Sequence, residues 1–420
     1  MNLHQLWKDK RKPILGFKEV LKYIGPGLLV TVGFVDPGNW ASNIAAGSRY
    51  GYTLLWMVTL STLILIVLQH NAAHLGIVTG KCLAEAATKW MGKKTKNFFL
   101  TTAMMAAIST GLAEMLGGAV ALEMLFAIPL KIGALVMLLL SIYLQFTNSY
   151  RHIEKIIIFF VSIIGLAFLA QVGLIPVDWG AAGRGWVTPA FPDGSIPIIM
   201  SVLGAVVMPH NLFIHSEVIQ SRQFNTKGDA AIRKELRFEY MDTIFSMIVG
   251  WIINSAIIFV AASTFFANGV YVDDLAQAGT LLTPMLGSLS ATLFGVALLF
   301  AGIASSLTSA MAGGIIFAGS LGEPYDSHDN HTRFGSLLTM IVAYVIILLI
   351  DSPFEGLIYS QVFLSMQLPF TIFTQLYLTS SKKVMGKYSN GAFDNILLWI
   401  IGIIVTALNM VLLWTMFNGN

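Results

Sequence analysis

The chain has 420 residues, 56% of them hydrophobic and only 11% charged, with a net charge of +3. A soluble domain carries roughly 25% charged residues, so the composition excludes an ordinary soluble protein and indicates one embedded in a lipid bilayer. Cys82 is the only cysteine, which excludes a disulfide framework and a cysteine metal cluster.

Residues 1–23 form a polar, basic segment without the apolar stretch and small-residue cleavage site of a signal peptide. Eleven apolar segments follow, at 24–46, 51–77, 98–126, 128–149, 153–174, 195–220, 239–266, 287–318, 334–350, 354–379 and 392–417, each near the ~20 residues that a bilayer core requires. The mixed-charge stretch 222–239 reads as an amphipathic connection, and Trp40, Tyr50, Trp56 and Trp186 read as interface anchors. With the N-terminus in the cytoplasm, all of the 25 Lys and Arg except Arg49, Lys131 and Arg184 fall on the inner side. That bias predicts a plasma-membrane protein with a cytoplasmic N-terminus and, from the odd span number, an extracellular C-terminus. Asn330-His331-Thr332 fits a glycosylation pattern but lies on the inner side, which discounts it.

Two spans are interrupted by proline. Span one reads Asp36-Pro37-Gly38-Asn39 and span six reads Met208-Pro209-His210-Asn211. A proline in a helix removes one N–H and frees the carbonyl one turn back. Hydrocarbon tolerates such loose backbone only where it lines a cavity. Breaks at matching places in two halves mark a transporter's substrate site. Five spans per half, an odd number, invert the second half in the membrane. The predicted units are therefore 1–23 as a cytoplasmic segment, 24–174 as the first repeat, 175–380 as the second, and 381–420 carrying an extra helix.

The side chains at the breaks suit a divalent transition metal. A carboxylate such as Asp36 in mid-membrane costs at least ~2.5–3.5 kcal/mol, so it needs a partner; the alternative is a helix N-cap. Gly38 lets the backbone unwind, and Asn39 is close enough to share a ligand with Asp36. Met208 could simply fill a gap. At the break it offers a soft thioether, which favours transition metals over Mg²⁺ and Ca²⁺. Ala205 lies four residues before Pro209, so its carbonyl is left free. Glu114 in mid-span, and His210 and His215 beyond the break, are candidate proton carriers, against the alternative of structural hydrogen bonding. Glu123 faces elsewhere, near the outer end. His70 and His74 read as interfacial or structural.

At these residues the chain closely resembles the Nramp family of divalent metal transporters. The resemblance rests on Asp36-Pro37-Gly38-Asn39, on Met208-Pro209-His210-Asn211 with His215 beyond it, and on Ser360-Gln361-Val362 through Gln367-Leu368-Pro369-Phe370. It extends to Leu75-Gly76-Ile77-Val78-Thr79-Gly80-Lys81, Leu112-Ala113-Glu114 and Asn254. It implies an all-α membrane protein of LeuT-like fold, with inverted five-helix repeats, a further helix, and helices one and six broken. It implies metal ligands Asp36, Asn39, Met208 and the Ala205 carbonyl, joined by Gln361 in some conformations. It implies Mn²⁺ or Fe²⁺ as substrate, with Cd²⁺ and Co²⁺ tolerated.

Three departures touch groups tied to proton movement. Gly111-Leu112-Ala113-Glu114 stands where the family has Asp-Leu-Ala-Glu. Gly302-Ile303-Ala304-Ser305 stands for Gly-Gln-Ser-Ser, and Arg333 alone for a pair of arginines. The expectation is a secondary transporter importing Mn²⁺ or Fe²⁺ by alternating access, with proton coupling weakened. The alternatives are a Mg²⁺ carrier of the same family without proton coupling, an uncoupled metal channel, and an amino-acid symporter on the same fold, whose substrate carboxylate Asp36 would repel. The expected partners are the divalent ion, the bilayer and protons. The chain is expected to be a monomer with no cofactor, no enzymatic activity and no nucleic-acid binding.

Overall fold

In a computed structural model, the described residues are 36–147, 162, 165–283, 287 and 290–418. The predicted segment 1–23, the first part of span one and half of span five lie outside them. Every described element is helical. In chain order these are α1 (Pro37–Tyr50), α2 (Leu55–Thr79), α3 (Leu83–Trp90), α4 (Lys93–Phe126), α5 (Leu130–Thr147), α6 (Trp179–Val187), α7 (Ile196–Val207), α8 (Pro209–Gln220), α9 (Asp229–Thr264), α10 (Ser290–Leu321), α11 (Asn330–Ile347), α12 (Pro353–Ser380) and α13 (Ala392–Asn418). Among the described residues, eight segments are long and apolar enough to cross a membrane, α7 and α8 together making one of them. α11 corresponds to the predicted span nine; its polar start, Asn330-His331-Thr332-Arg333, keeps it out of that set.

Two corrections concern polar and aromatic residues. The stretch 222–239 is not a separate connection: after a short turn at Phe224–Thr226, helix α9 begins at Asp229 and runs 36 residues. At 1.5 Å per residue that is about 54 Å, well beyond a hydrocarbon core of about 30 Å. An apolar window locates the membrane and not the helix start, so Glu239, the predicted boundary between the connection and span seven, lies inside one continuous helix and is buried in the bundle. Trp40 and Trp56 are not interface anchors. Trp40 is fully buried between Phe168, 6.1 Å away between ring centroids, and Phe294, 4.9 Å away. Trp56 is buried too, its Nε1–H donating to the Ala190 carbonyl at 3.2 Å.

Close helix contacts set the centre of the bundle. α4 packs most extensively against α10, and α7 against α12. A Cβ on Gly117 of α4 would fall 2.1 Å from Pro37 Cβ, so this glycine seats the start of α1. A Cβ on Gly204 of α7 would fall 1.8 Å from the Gln361 carbonyl oxygen of α12. Here backbone meets backbone, and no side-chain rotation relieves the clash. Gly204→Ala should therefore cost about 1–3 kcal/mol or more and lower the thermal unfolding midpoint in detergent; an unchanged midpoint would contradict this packing.

Candidate functional site: a metal cage at two helix breaks

The second break has a direct backbone cause. Met208 adopts φ 42° and ψ 83°, a left-handed conformation uncommon for a residue with a side chain. It closes α7 through its N–H to the Gly204 carbonyl at 3.0 Å, and Pro209 then starts α8. Pro209 has no N–H, so it leaves the Ala205 carbonyl without its helical partner. That oxygen instead accepts from Asn39 Nδ2 at 2.8 Å.

At the first break Asp36 caps α1. Its Oδ1 accepts the Asn39 backbone N–H at 2.6 Å, and its Oδ2 accepts Asn39 Nδ2 at 2.8 Å. The capping alternative thus holds, but it does not exhaust the residue. Asp36 is 2% exposed, and none of the ion pairs among the described residues involves it. A buried carboxylate without a cationic partner is expensive, and a metal ion would meet that need.

The Asn39 amide thus touches the Asp36 carboxylate and the Ala205 carbonyl together, bringing three of the five predicted ligands into one place. A fourth, Gln361, lies against the same turn, since a Cβ on Gly38 would sit 2.2 Å from its Nε2. The fifth, the Met208 thioether, is buried, and its Sδ accepts from Asn211 Nδ2 at 3.1 Å. One carboxylate with amide and carbonyl oxygens thus meet at one turn, and a soft sulfur from Met208 would complete a donor set for a borderline divalent transition metal.

The three candidate proton carriers separate into two places. Glu114 is buried within electrostatic reach of Asp36 and beside the Ser305 hydroxyl, and its Oε2 has no hydrogen-bond partner among the described residues. His210 turns to α4, its Nδ1 2.9 Å from Thr110 Oγ1. His215 turns away to α2 and α9, with Nδ1 3.4 Å from Gln69 Nε2 and Nε2 3.3 Å from Glu239 Oε1. Glu239 also holds His70 Nδ1 at 2.5 Å. This Glu239 grouping was missed in the sequence. The available signal was three titratable residues on segments that a short bundle must bring together.

The departures occupy packed ground. A Cβ on Gly111 would meet Ser309 Oγ at 3.3 Å and, in ordinary contact, Ala343 and Thr339. Arg333 donates through Nε to the Ser327 carbonyl at 3.0 Å and lies over the Phe146 ring. Elsewhere Cys82 lies buried close to the carboxylates of Glu85 and Glu217. It begins α3, and burial, followed by the charges of Glu217 and Glu85, pushes its thiol well above the ordinary range. Asn43 Nδ2 donates to Asn254 Oδ1 at 2.8 Å and ties α1 to α9.

Residues 27–415 match the family described as natural resistance-associated macrophage protein-like. The divalent metal cation transporter MntH of Granulibacter bethesdensis is 36% identical over 410 residues, which cover 96% of this chain and 90% of that protein. The manganese transporter of Eremococcus coleocola superposes with a TM-score of 0.80 at 28% identity, over 96% of this chain and 88% of that one. The nucleobase-cation-symport-1 family transporter Mhp1 superposes with a TM-score of 0.62 at 14% identity, over 91% and 90%. That last likeness shows the fold alone, which is LeuT-like.

Proposed function

This chain belongs to the natural resistance-associated macrophage protein-like (Nramp) family, and on that premise we propose that it is a secondary transporter importing Mn²⁺ or Fe²⁺ across the plasma membrane by alternating access. Family members are transporters and not enzymes, and the relatives it matches are divalent metal cation transporters. The observation that carries the proposal is the Asn39 amide, which joins the Asp36 carboxylate of one break to the proline-freed Ala205 carbonyl of the other. Asp36, Asn39, Met208 and the Ala205 carbonyl coordinate the ion, and Gln361 joins as the helices move. Pro37, Gly38 and Pro209 keep the backbone open there. The halves 24–174 and 175–380 act as inverted repeats that rock about the ion, with the N-terminus inside and a single chain as the working unit.

Each residue has a physical task in that cycle. Asp36 compensates charge and draws the ion from water. The amides and the carbonyl replace part of its hydration shell, and the thioether discriminates against hard cations. Glu114, His210 and His215 are the groups through which a proton would travel with the metal. The close packing around Gly111 favours weak coupling through α4 and α11.

The test is purified protein in liposomes with a metal-sensitive dye and a pH dye inside. Mn²⁺ entry, with Mg²⁺ a poor competitor, is the expected result. Mg²⁺ competing as well as Mn²⁺, without acidification, would replace this reading with a Mg²⁺ carrier lacking proton coupling.

A further inference from the structure

A second polar centre lies away from the metal cage, and the mechanism so far uses only one of its members. Glu239 of α9 is buried, yet each of its oxygens is occupied. Oε1 accepts from Thr243 Oγ1 at 2.7 Å and lies 3.3 Å from His215 Nε2. Oε2 lies 2.5 Å from His70 Nδ1. The carboxylate thus sits between two imidazoles from α8 and α2. His215 is 1% exposed in its side chain, whereas His70 is 31% exposed. The row runs from a closed end to an open one.

Beyond His70 it continues toward the basic end of the bundle. The His70 and His74 rings stack with centroids 6.3 Å apart, and His74 reaches Asn390 and lies within electrostatic range of Asp394 at the start of α13. The α2 helix ends at Thr79, two residues before Lys81. The other groups that face the centre are the Tyr240 ring, against His70 at 4.7 Å, and Glu235, which feels the charge of Glu239 and pairs with Arg222 at 3.7 Å.

We propose that His215, Glu239 and His70 form a proton relay that carries protons between the helix past the second break and the basic face of the bundle. It rests on the reading of this chain as a metal transporter and adds a route that does not pass Gly111. The transfer takes three steps. A His215 imidazolium gives its Nε2 proton to Glu239 Oε1, leaving neutral imidazole and neutral carboxylic acid. After carboxyl rotation the acid gives that proton to His70 Nδ1, restoring the carboxylate. His70 then releases its Nε2 proton to water or His74, and a flip of its ring restores the starting tautomer. One proton has then moved, Glu239 and His70 are as they began, and His215, left as neutral imidazole, regains its imidazolium by accepting the next incoming proton.

Gln69 makes the first step workable. Its Nε2 faces His215 Nδ1, while its Oε1 is buried without a hydrogen-bond partner. A half-turn of the amide would place that oxygen against an Nδ1–H. Either tautomer of His215 therefore finds a partner, and no charge is left bare in the low-dielectric interior. Imidazole suits the task because its unperturbed titration lies near neutral pH.

The experiment compares full-length wild type, Glu239→Gln and His70→Gln in liposomes, with Mn²⁺ entry and internal acidification recorded together. Glu239→Gln keeps the shape and hydrogen-bonding capacity but cannot cycle a proton. The expected result is a proton-to-metal ratio reduced at least about tenfold in Glu239→Gln, with Mn²⁺ entry retained and a smaller drop in His70→Gln. A purely structural tie between α2, α8 and α9 would instead lower both fluxes in the same proportion, and that overturns the relay. An unchanged ratio in both variants also overturns it. His70→Gln, at a partly exposed position, keeps the test decisive if Glu239→Gln fails to fold. Wild type that moves Mn²⁺ without protons overturns the relay and leaves metal transport standing. Wild type that moves no Mn²⁺ overturns the transport reading itself.

Discussion

Asp36→Asn abolishes Mn²⁺ entry into proteoliposomes while leaving a folded, monodisperse protein. Asparagine is as good an N-cap as aspartate, so α1 keeps the hydrogen bond that Asp36 Oδ1 now accepts from the Asn39 N–H. What disappears is the one full negative charge among the five proposed ligands. An uncompensated charge inside a membrane costs at least ~2.5–3.5 kcal/mol, and the ion that compensates it gains a comparable amount, so its loss weakens binding about a hundredfold or more. The same substitution should raise the thermal midpoint in metal-free buffer, because it removes a buried carboxylate that no described cation pairs. Asp36→Ala loses both cap and charge, and so shows the transport defect with a lower midpoint. Mn²⁺ entry by Asp36→Asn within twofold of wild type would show that the carboxylate only caps a helix.

Met208→Ala leaves the charge in place and changes which ions are admitted. The thioether is the only soft donor in the cage, and soft donors hold Mn²⁺, Fe²⁺ and especially Cd²⁺ in preference to Ca²⁺ and Mg²⁺. Its removal leaves an all-oxygen set suited to hard cations. The expected outcome is a loss of about tenfold in Cd²⁺ uptake, a smaller loss for Mn²⁺, and new inhibition of Mn²⁺ uptake by millimolar Ca²⁺. Alanine at this left-handed position carries a Cβ just as methionine does, so the backbone cost is similar in both. Asn211, whose Nδ2 now donates to the sulfur, stays in place to hydrogen-bond a water there. Unaltered Cd²⁺ preference would remove Met208 from the ligand set.

The meeting of the two helix breaks was legible in the sequence because proline acts through a fixed offset. Pro209 leaves the carbonyl four residues earlier without its partner, so the offset alone singles out Ala205, whose carbonyl accepts from Asn39 across the bundle. The placing of Asp36 and Asn39 together followed in the same way from a short unwound turn. Glu239 was not legible, since a hydropathy window ends where charge begins, whereas α9 begins ten residues before this acid. A charge in the middle of a helix becomes acceptable only when partners arrive from other helices, here His70 and His215, and the order of residues along the chain does not announce such partners. Trp40 misled for a related reason. Tryptophan near a span end favours the interface on average, but α1 enters the bundle centre, where Phe168 and Phe294 close over the ring.

The Ala205 oxygen has a further consequence for anyone mapping this protein by mutagenesis. It is a main-chain atom, so no substitution at position 205 deletes it, and a residue-by-residue scan would score that position by bulk alone. Control of the atom sits four places downstream: any amino acid with an amide hydrogen at position 209 could reclaim the carbonyl for an unbroken helix. A proposed ligand owned by one residue is thus governed by another, and a survey of side chains would credit the proline and overlook the alanine.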